Sequence, residues 1–206
     1  MFKKIEIEAK NQSEALKKAA EQLLIPTNKI KLEVIKEKKG ILGIGAMMTF
    51  EATPNIDLAI EGKKYLDEVI AAMEINAVME MKVIAENEIL YRVQSNENAL
   101  LIGKEGRTLL ALQTLIRSYL SMFVTTNLMI SLDIGDYHSN RKRQLEILAT
   151  KTAKDVARTN IAVKLNPMNS FDRRIIHAKL SEWRDVETTS EGEGEERALI
   201  IKPKTK

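Results

Sequence analysis

The sequence predicts an α+β chain of three small modules: an N-terminal βαββ, a central αββααβ and a C-terminal α/β unit. Three observations predict it. Short stretches of alternating apolar and polar residues occur in each third of the chain, together with segments of helical spacing. Turn-forming residues break the pattern at Thr53-Pro54-Asn55 and again at Gly135. Between those breaks, Gly103 and Gly106 interrupt an apolar run that resumes at once as an amphipathic helix. The expected divisions are 1–53, 54–134 and 135–206.

In the first module Ile5 and Ile7 alternate with charged neighbours, so a strand is expected. Ser13 reads as an N-cap before a helix with Ala15, Leu16, Ala19, Ala20, Leu23 and Leu24, which Pro26 stops. Ile30, Leu32 and Val34 mark a second strand, and Met48 and Phe50 a third. Between these two strands lies Lys36-Glu37-Lys38-Lys39-Gly40-Ile41-Leu42-Gly43-Ile44-Gly45. It reads either as a small interaction surface with Ile41, Leu42 and Ile44 exposed, or as a glycine-rich turn with a solvated lysine face. Its spacing matches neither a P-loop nor a dinucleotide fingerprint. Pro54 is expected to end the last strand, with Asp57 starting the next helix almost without a linker.

The second module opens on a helical face of Leu58, Tyr65, Leu66, Val69, Ile70 and Met73. Met79, Met81 and Val83 alternate, Glu86-Asn87-Glu88 turn the chain, and Ile89, Tyr91 and Val93 alternate back. A short helix then leads into Gly103-Lys104-Glu105-Gly106 and a longer helix with Leu109, Leu112, Ile116, Leu120 and Phe123 on one stripe. Leu128 to Ile134 reads as a third strand. Two glycines three apart allow positive φ and close approach of the main chain to a ligand. The following helix N-terminus offers unpaired N–H groups and a favourable dipole, which suits a phosphate.

The third module begins Gly135-Asp136-Tyr137-His138-Ser139-Asn140-Arg141-Lys142-Arg143. A helix follows with Leu145, Leu148, Ala149, Thr152, Val156 and Ala157 expected inward, and Lys151, Lys154 and Arg158 outward. A strand from Ile161 to Leu165 ends at Asn166-Pro167, and a second helix carries Arg173-Arg174-Ile175-Ile176-His177. Arg173 and His177, four apart, project from one helical face and read either as a clamp for one phosphate or as a satisfied surface histidine beside a helix-stabilising arginine, whereas Ile175, Ile176 and Leu180 face inward. Two strands near Val186 and Ala198 flank the acidic loop from Ser190 to Glu196.

Composition narrows the chemistry. The absence of cysteine excludes disulfides, thiolate catalysis and thiolate metal sites, and suits a reducing compartment. The N-terminus has no apolar signal region and no apolar run is long enough to span a bilayer, so a cytoplasmic location is expected. Residues 1–53 hold ten bases and seven acids, or +3; residues 54–134 hold seven and eleven, or −4; residues 135–206 hold fifteen and eleven, or +4. Within 135–184 eleven bases face five acids, so the basic surface lies behind the central module. Asp133, Asp136 and His138 are the best nuclease candidates, but two histidines and no carboxylate cluster of metal-ligand spacing argue against catalysis, a metal or a cofactor.

The order of elements around Gly103-Lys104-Glu105-Gly106 resembles a KH domain of type II topology. The segment from Tyr137 onward resembles the R-three-H domain, named for an Arg-x-x-x-His that here is Arg173 and His177; Asn166-Pro167-Met168 and Ser190-Glu191-Gly192-Glu193-Gly194 extend the match. With Lys39-Gly40-Ile41-Leu42-Gly43-Ile44-Gly45 in the first module, the whole chain resembles the Jag (SpoIIIJ-associated) family of bacterial RNA-binding proteins. That resemblance implies a cytoplasmic single-stranded RNA-binding protein acting in post-transcriptional control and in cell elongation, division and shape. It also implies single-stranded DNA as a second ligand class, a small KH-domain partner and association with a membrane insertase; a homo-oligomer is compatible with it. Relatives often carry a long charged linker after the first module, which is missing here, and Glu105 offsets Lys104 in the loop.

The expected RNA contacts are therefore Ile102, Gly103, Lys104, Glu105, Gly106 and Arg107 from the loop, with Leu109 lining an aliphatic groove for bases. Arg141, Lys142, Arg143, Arg173, Arg174 and His177 supply the attraction to phosphate. Aromatics make up only 4% of the chain, so base stacking contributes little. Trp183 reads as a core anchor and the methionines as packing. The competing reading is a protein-interaction scaffold, served by the first module and the acidic loop, whose RNA affinity is incidental.

Overall fold

A computed structural model describes residues 1–38 and 47–204. The glycine-rich segment with Ile41, Leu42 and Ile44 lies outside the described residues. The chain forms two compact units, the first spanning Met1–Gly135 and the second beginning at Asp136. Helices and strands mix throughout in three small three-stranded sheets among the described residues, so the class is α+β.

The first unit opens with β1 (Ile5–Ala9), α1 (Gln12–Leu23), β2 (Ile30–Lys38) and β3 (Met47–Pro54). Their antiparallel sheet has the order β1-β3-β2. Alanines let α1 come close to the sheet: Ala15, Ala19 and Leu23 are buried where it packs on the strands, as are Ile7, Ala9, Phe50 and Ala52. Asn11, not Ser13, caps α1, its Oδ1 accepting from the Glu14 N–H at 2.9 Å. Leu24, expected inward, instead leaves the helix in a left-handed conformation and faces solvent. Val34 is also exposed, although its partner Phe50 on β3 is buried, because β2 is an edge strand of the sheet. Pro54 ends β3 as its last residue, opposite Ile30, and the neighbouring Asn55 N–H supplies the donor to Lys29 O at 2.8 Å.

The same unit continues with α2 (Leu58–Ala72), β4 (Ala77–Ala85), β5 (Glu88–Ser95), α3 (Asn98–Ile102), α4 (Arg107–Leu120) and β6 (Met129–Ile134). The sheet order is β4-β5-β6, with β4 antiparallel and β6 parallel to β5, so α3 and α4 form the crossover a parallel pair requires. Asp57 caps α2 with bonds from the Ala59 and Ile60 N–H groups, as its position suggests. Leu66, Ile70, Tyr91, Leu112, Ile116, Leu120 and Leu132 are among the core residues. Met81 and Val83 keep the strand alternation but are exposed, although their partners Tyr91 and Ile89 on β5 are buried, since β4 is an edge strand and the core covers β5 at this level. Gly62 makes room for Tyr91, whose hydroxyl donates to Ala59 O at 3.1 Å; a Cβ at position 62 would lie 2.2 Å from that hydroxyl.

A buried polar joint ties the two sheets of this unit together. Lys29, before β2, forms an ion pair with Glu61 of α2, and the Tyr119 hydroxyl of α4 donates to the same carboxylate. Burial pushes the Glu61 carboxyl up, but hydrogen bonds from Lys29 and Tyr119 outweigh it and hold the group below the usual carboxylate range. Tyr65 stacks on Tyr119 at 4.3 Å, and Phe123 meets Tyr119 edge-on. Residues ahead of β1 meet the segment that follows α4: Lys3 N–H donates to Phe123 O at 2.9 Å and Thr125 N–H to Met1 O at 3.0 Å.

The second unit contains α5 (Tyr137–Thr159), β7 (Val163–Lys164), α6 (Ser170–Leu180), β8 (Val186–Glu191) and β9 (Ala198–Pro203), with antiparallel sheet order β7-β9-β8. Its core joins Leu145, Ala149, Ala153 and Val156 to Ile176, Leu180, Leu199 and Ile201, with Trp183 packed against it. Leu148 and Ala157 face outward; Ala153 takes the inward place, because the buried stripe of α5 is narrower than the apolar pattern. The expected strand 161–165 shrinks to two paired residues, although Leu165 N–H still donates to Leu199 O at 2.9 Å.

Candidate nucleic-acid interface

The Gly103–Gly106 turn joins α3 to α4 as a single tight 3-10 turn. Gly103 has φ 70° and ψ −179°, and Gly106 φ 79° and ψ 15°, both in territory that favours glycine. A Cβ on Gly103 would also lie 2.1 Å from Thr108 Oγ1. Glu105 is left-handed too, at φ 56°, which puts Lys104 and Glu105 at the apex of an unusual backbone path. No side chain caps the start of α4 and no acidic residue occupies its first turn. The positive end of α4 therefore faces the turn, with Glu105 one residue before its N-cap Gly106.

Around this turn the structure separates neighbours that the sequence pattern runs together. Leu109, expected to line a groove, is 3% exposed and belongs to the core. The next residue, Leu110, is 55% exposed, and Leu100 of α3 is 59% exposed. These two, with partly exposed Ile102, are the aliphatic groups that a base could reach. A helix that packs on a sheet sends residue i inward and i+1 some 100° around, and the apolar identity of both hides the difference.

In the second unit, Arg141 is only partly exposed and is turned toward the fold. Its Nε and Nη2 donate to Asp172 Oδ2 at 3.0 and 2.8 Å, and the Asp172 side chain is 3% exposed. A buried carboxylate needs a partner, so this arginine is committed to the fold. Lys142, Arg143 and Arg174 lie at the surface. Arg173 uses Nε to donate to Met168 O at 3.3 Å, with its terminal nitrogens left to other partners. One turn on, His177 faces two hydroxyls of β8: Nδ1 is 2.5 Å from Thr188 Oγ1 and Nε2 is 3.3 Å from Ser190 Oγ. Burial, and then the charge of Arg173, hold the imidazole below its ordinary pKa. It is thus neutral at pH 7 and suited to donate at one nitrogen and accept at the other.

Thr188 and Ser190 are functional candidates that sequence reasoning misses. They are two apart on a strand and so share a face, but nothing local pairs that face with α6. Among the described residues, no group of three or more His, Cys, Asp or Glu could hold a metal ion, and no helix is long and apolar enough to cross a membrane.

Family models match two parts of the chain: the Jag N-terminus over residues 7–48 and the R-three-H domain over residues 143–203. The RNA-binding protein KhpB of Clostridium symbiosum is 34% identical over 202 residues, which cover 96% of this chain and 90% of the relative. The chain belongs to the KhpB (Jag) family. The KhpB of Bacillus subtilis (strain 168) is likewise 34% identical, over 95% of this chain and 96% of its own length. The KhpB of Lactiplantibacillus plantarum reaches 40% identity over 107 residues, 52% of this chain and 33% of that relative. Within the R-three-H match lie Arg173, His177, Thr188 and Ser190, so the imidazole and both hydroxyls around it fall inside one family unit.

Proposed function

We propose that this protein binds single-stranded RNA at two stations; its KhpB relatives carry the name of RNA-binding proteins. The observation that carries the reading is the Gly103–Gly106 turn, whose positive-φ glycines bring bare main chain to an uncapped helix N-terminus. Gly103, Lys104, Glu105, Gly106 and Arg107 lie against the sugar-phosphate backbone, and Ile102, Leu100 and Leu110 offer apolar surface to bases. The second station is the α6 face of Arg173, Arg174 and His177, joined by Lys142 and Arg143. Arg141 acts there only by holding α5 to α6.

On this reading the stations belong to modules 54–134 and 135–206, and 1–53 is a third module fused to the first station's unit. The protein is not an enzyme; it works in the cytoplasm as a post-transcriptional regulator tied to cell elongation and division. A small KH-domain protein and a membrane insertase are its protein partners. The test is titration of the full chain with short oligoribonucleotides, followed by amide NMR at low ionic strength. Peaks of Gly103–Arg107 and of Arg173–His177 are expected to move together. If both sets stay fixed, the reading is wrong.

A further inference from the structure

On the far side of α6 from Arg173 and His177, the second unit carries a groove between α5 and α6 that shares only Arg143 with the two-station reading. It encloses about 430 Å³, with Arg143, Lys151 and Lys154 on α5 and Lys179 on α6. Ile147, 62% exposed, supplies apolar surface between them, and Glu146 is the one carboxylate among the lining residues. Lys179 follows His177 by two positions, so it lies about 200° around the helix from it. The groove and the imidazole therefore face different ways.

We propose that this groove is a third RNA contact, a track for consecutive phosphates of a single strand; it rests on the RNA-binding reading above. Three features support this occupant. Unlike Arg141, none of the four cations is tied into an ion pair among the described residues. Lys151 and Lys154 are three positions apart on α5, within about 5 to 6 Å, a step comparable to that between phosphates of an extended strand, and Arg143 lies about 12 Å before Lys151 along the same helix. The apolar surface at the centre meets a base or ribose face while the cations flank the backbone. An acidic helix would instead need a continuous apolar stripe on the protein, and a single isoleucine does not provide one.

The track extends the path of a bound strand beyond α6, so RNA that reaches both the Arg173 face and the groove must wrap around the second unit. Longer strands then gain contacts that short ones cannot make.

The experiment compares three full-length proteins for binding of fluorescein-labelled polyuridine of ten and of twenty nucleotides, as a function of salt. One is unchanged, one carries Lys151→Gln, Lys154→Gln and Lys179→Gln, and one carries Lys164→Gln, Arg184→Gln and Lys204→Gln at exposed positions outside the groove. The groove variant is expected to lower the salt slope by about 2, hence affinity at 0.1 M salt by up to about a hundredfold, with the larger loss on the longer strand. The control variant should lose far less. In parallel, the Ile147 methyl resonance of the unchanged protein should shift with polyuridine. Equal losses in the two variants, or an Ile147 signal that moves with a polyglutamate peptide but not with polyuridine, overturn the track and leave the two stations intact. No binding by the unchanged protein overturns the RNA reading itself and the track with it.

Discussion

Removing the charge of Asp172 while keeping its shape tests how the second unit is held together. In Asp172→Asn the amide still occupies the space between α5 and α6, but Arg141 loses the carboxylate that its Nε and Nη2 share. Breaking a buried pair by removing one partner costs about 3 to 5 kcal/mol. The Arg141 side chain is 21% exposed and can recover some hydration, which brings the expected loss toward about 2 to 3 kcal/mol. Trp183 is the only tryptophan and packs on the core of this unit, so its fluorescence reports unfolding here and not in the first unit. Urea titration of the full chain should show the Trp183 transition at lower denaturant with an unchanged slope. The double variant Arg141→Met, Asp172→Leu should recover most of the loss, since two apolar groups leave no stranded charge. A shift below about 0.5 kcal/mol in Asp172→Asn, within the range of surface changes, would refute the argument that this pair is structural.

Three further outcomes follow from named contacts. Gly62→Ala should destabilise the first unit by about 1 to 3 kcal/mol, because the new methyl meets the Tyr91 hydroxyl; hydrogen exchange of the β5 amides measures it. Gly103→Ala should weaken oligoribonucleotide binding while leaving the Trp183 transition unchanged, because the strain at φ 70° and the collision with Thr108 distort only the turn. His177 has a folded pKa below its unfolded value of 6.5, so its contribution to stability is complete above pH 6.5 and is lost as pH falls through that value toward the folded pKa. His177→Gln should flatten the dependence of the Trp183 midpoint between about pH 7.5 and 5.5. A bound phosphate raises the same pKa, so RNA affinity should rise as pH falls, and that rise should also be missing in the variant.

The element order and much of the core were legible because period and burial coincide along most of the chain. Leu112, Ile116 and Leu120 fall on one stripe of α4 in the sequence and are buried together in the structure. The pattern misleads on edge strands, as at Val34, Met81 and Val83, whose alternation says strand but cannot say whether the core covers it. At α1 two polar residues stand within one turn, and only the backbone path decides that Asn11 reaches the Glu14 amide. Candidate phosphate ligands are visible as basic residues, but identity alone does not distinguish a cation awaiting an anion from one already holding it. Arg141 is the second kind because Asp172, 31 positions away, lies buried beside it. The hydroxyls around His177 are hidden for the same reason: the partner strand is distant in sequence and near in space.

The Lys29–Glu61–Tyr119 joint grips α4 in its last turn and backbone bonds with Met1 and Lys3 hold the segment just after it, while the glycine turn sits at its start. The helix is thus clamped at the rear and open at the front, like a beam built into a wall. Cutting away the opening sheet would loosen the clamp and leave the glycine turn untouched in sequence yet less firmly aimed.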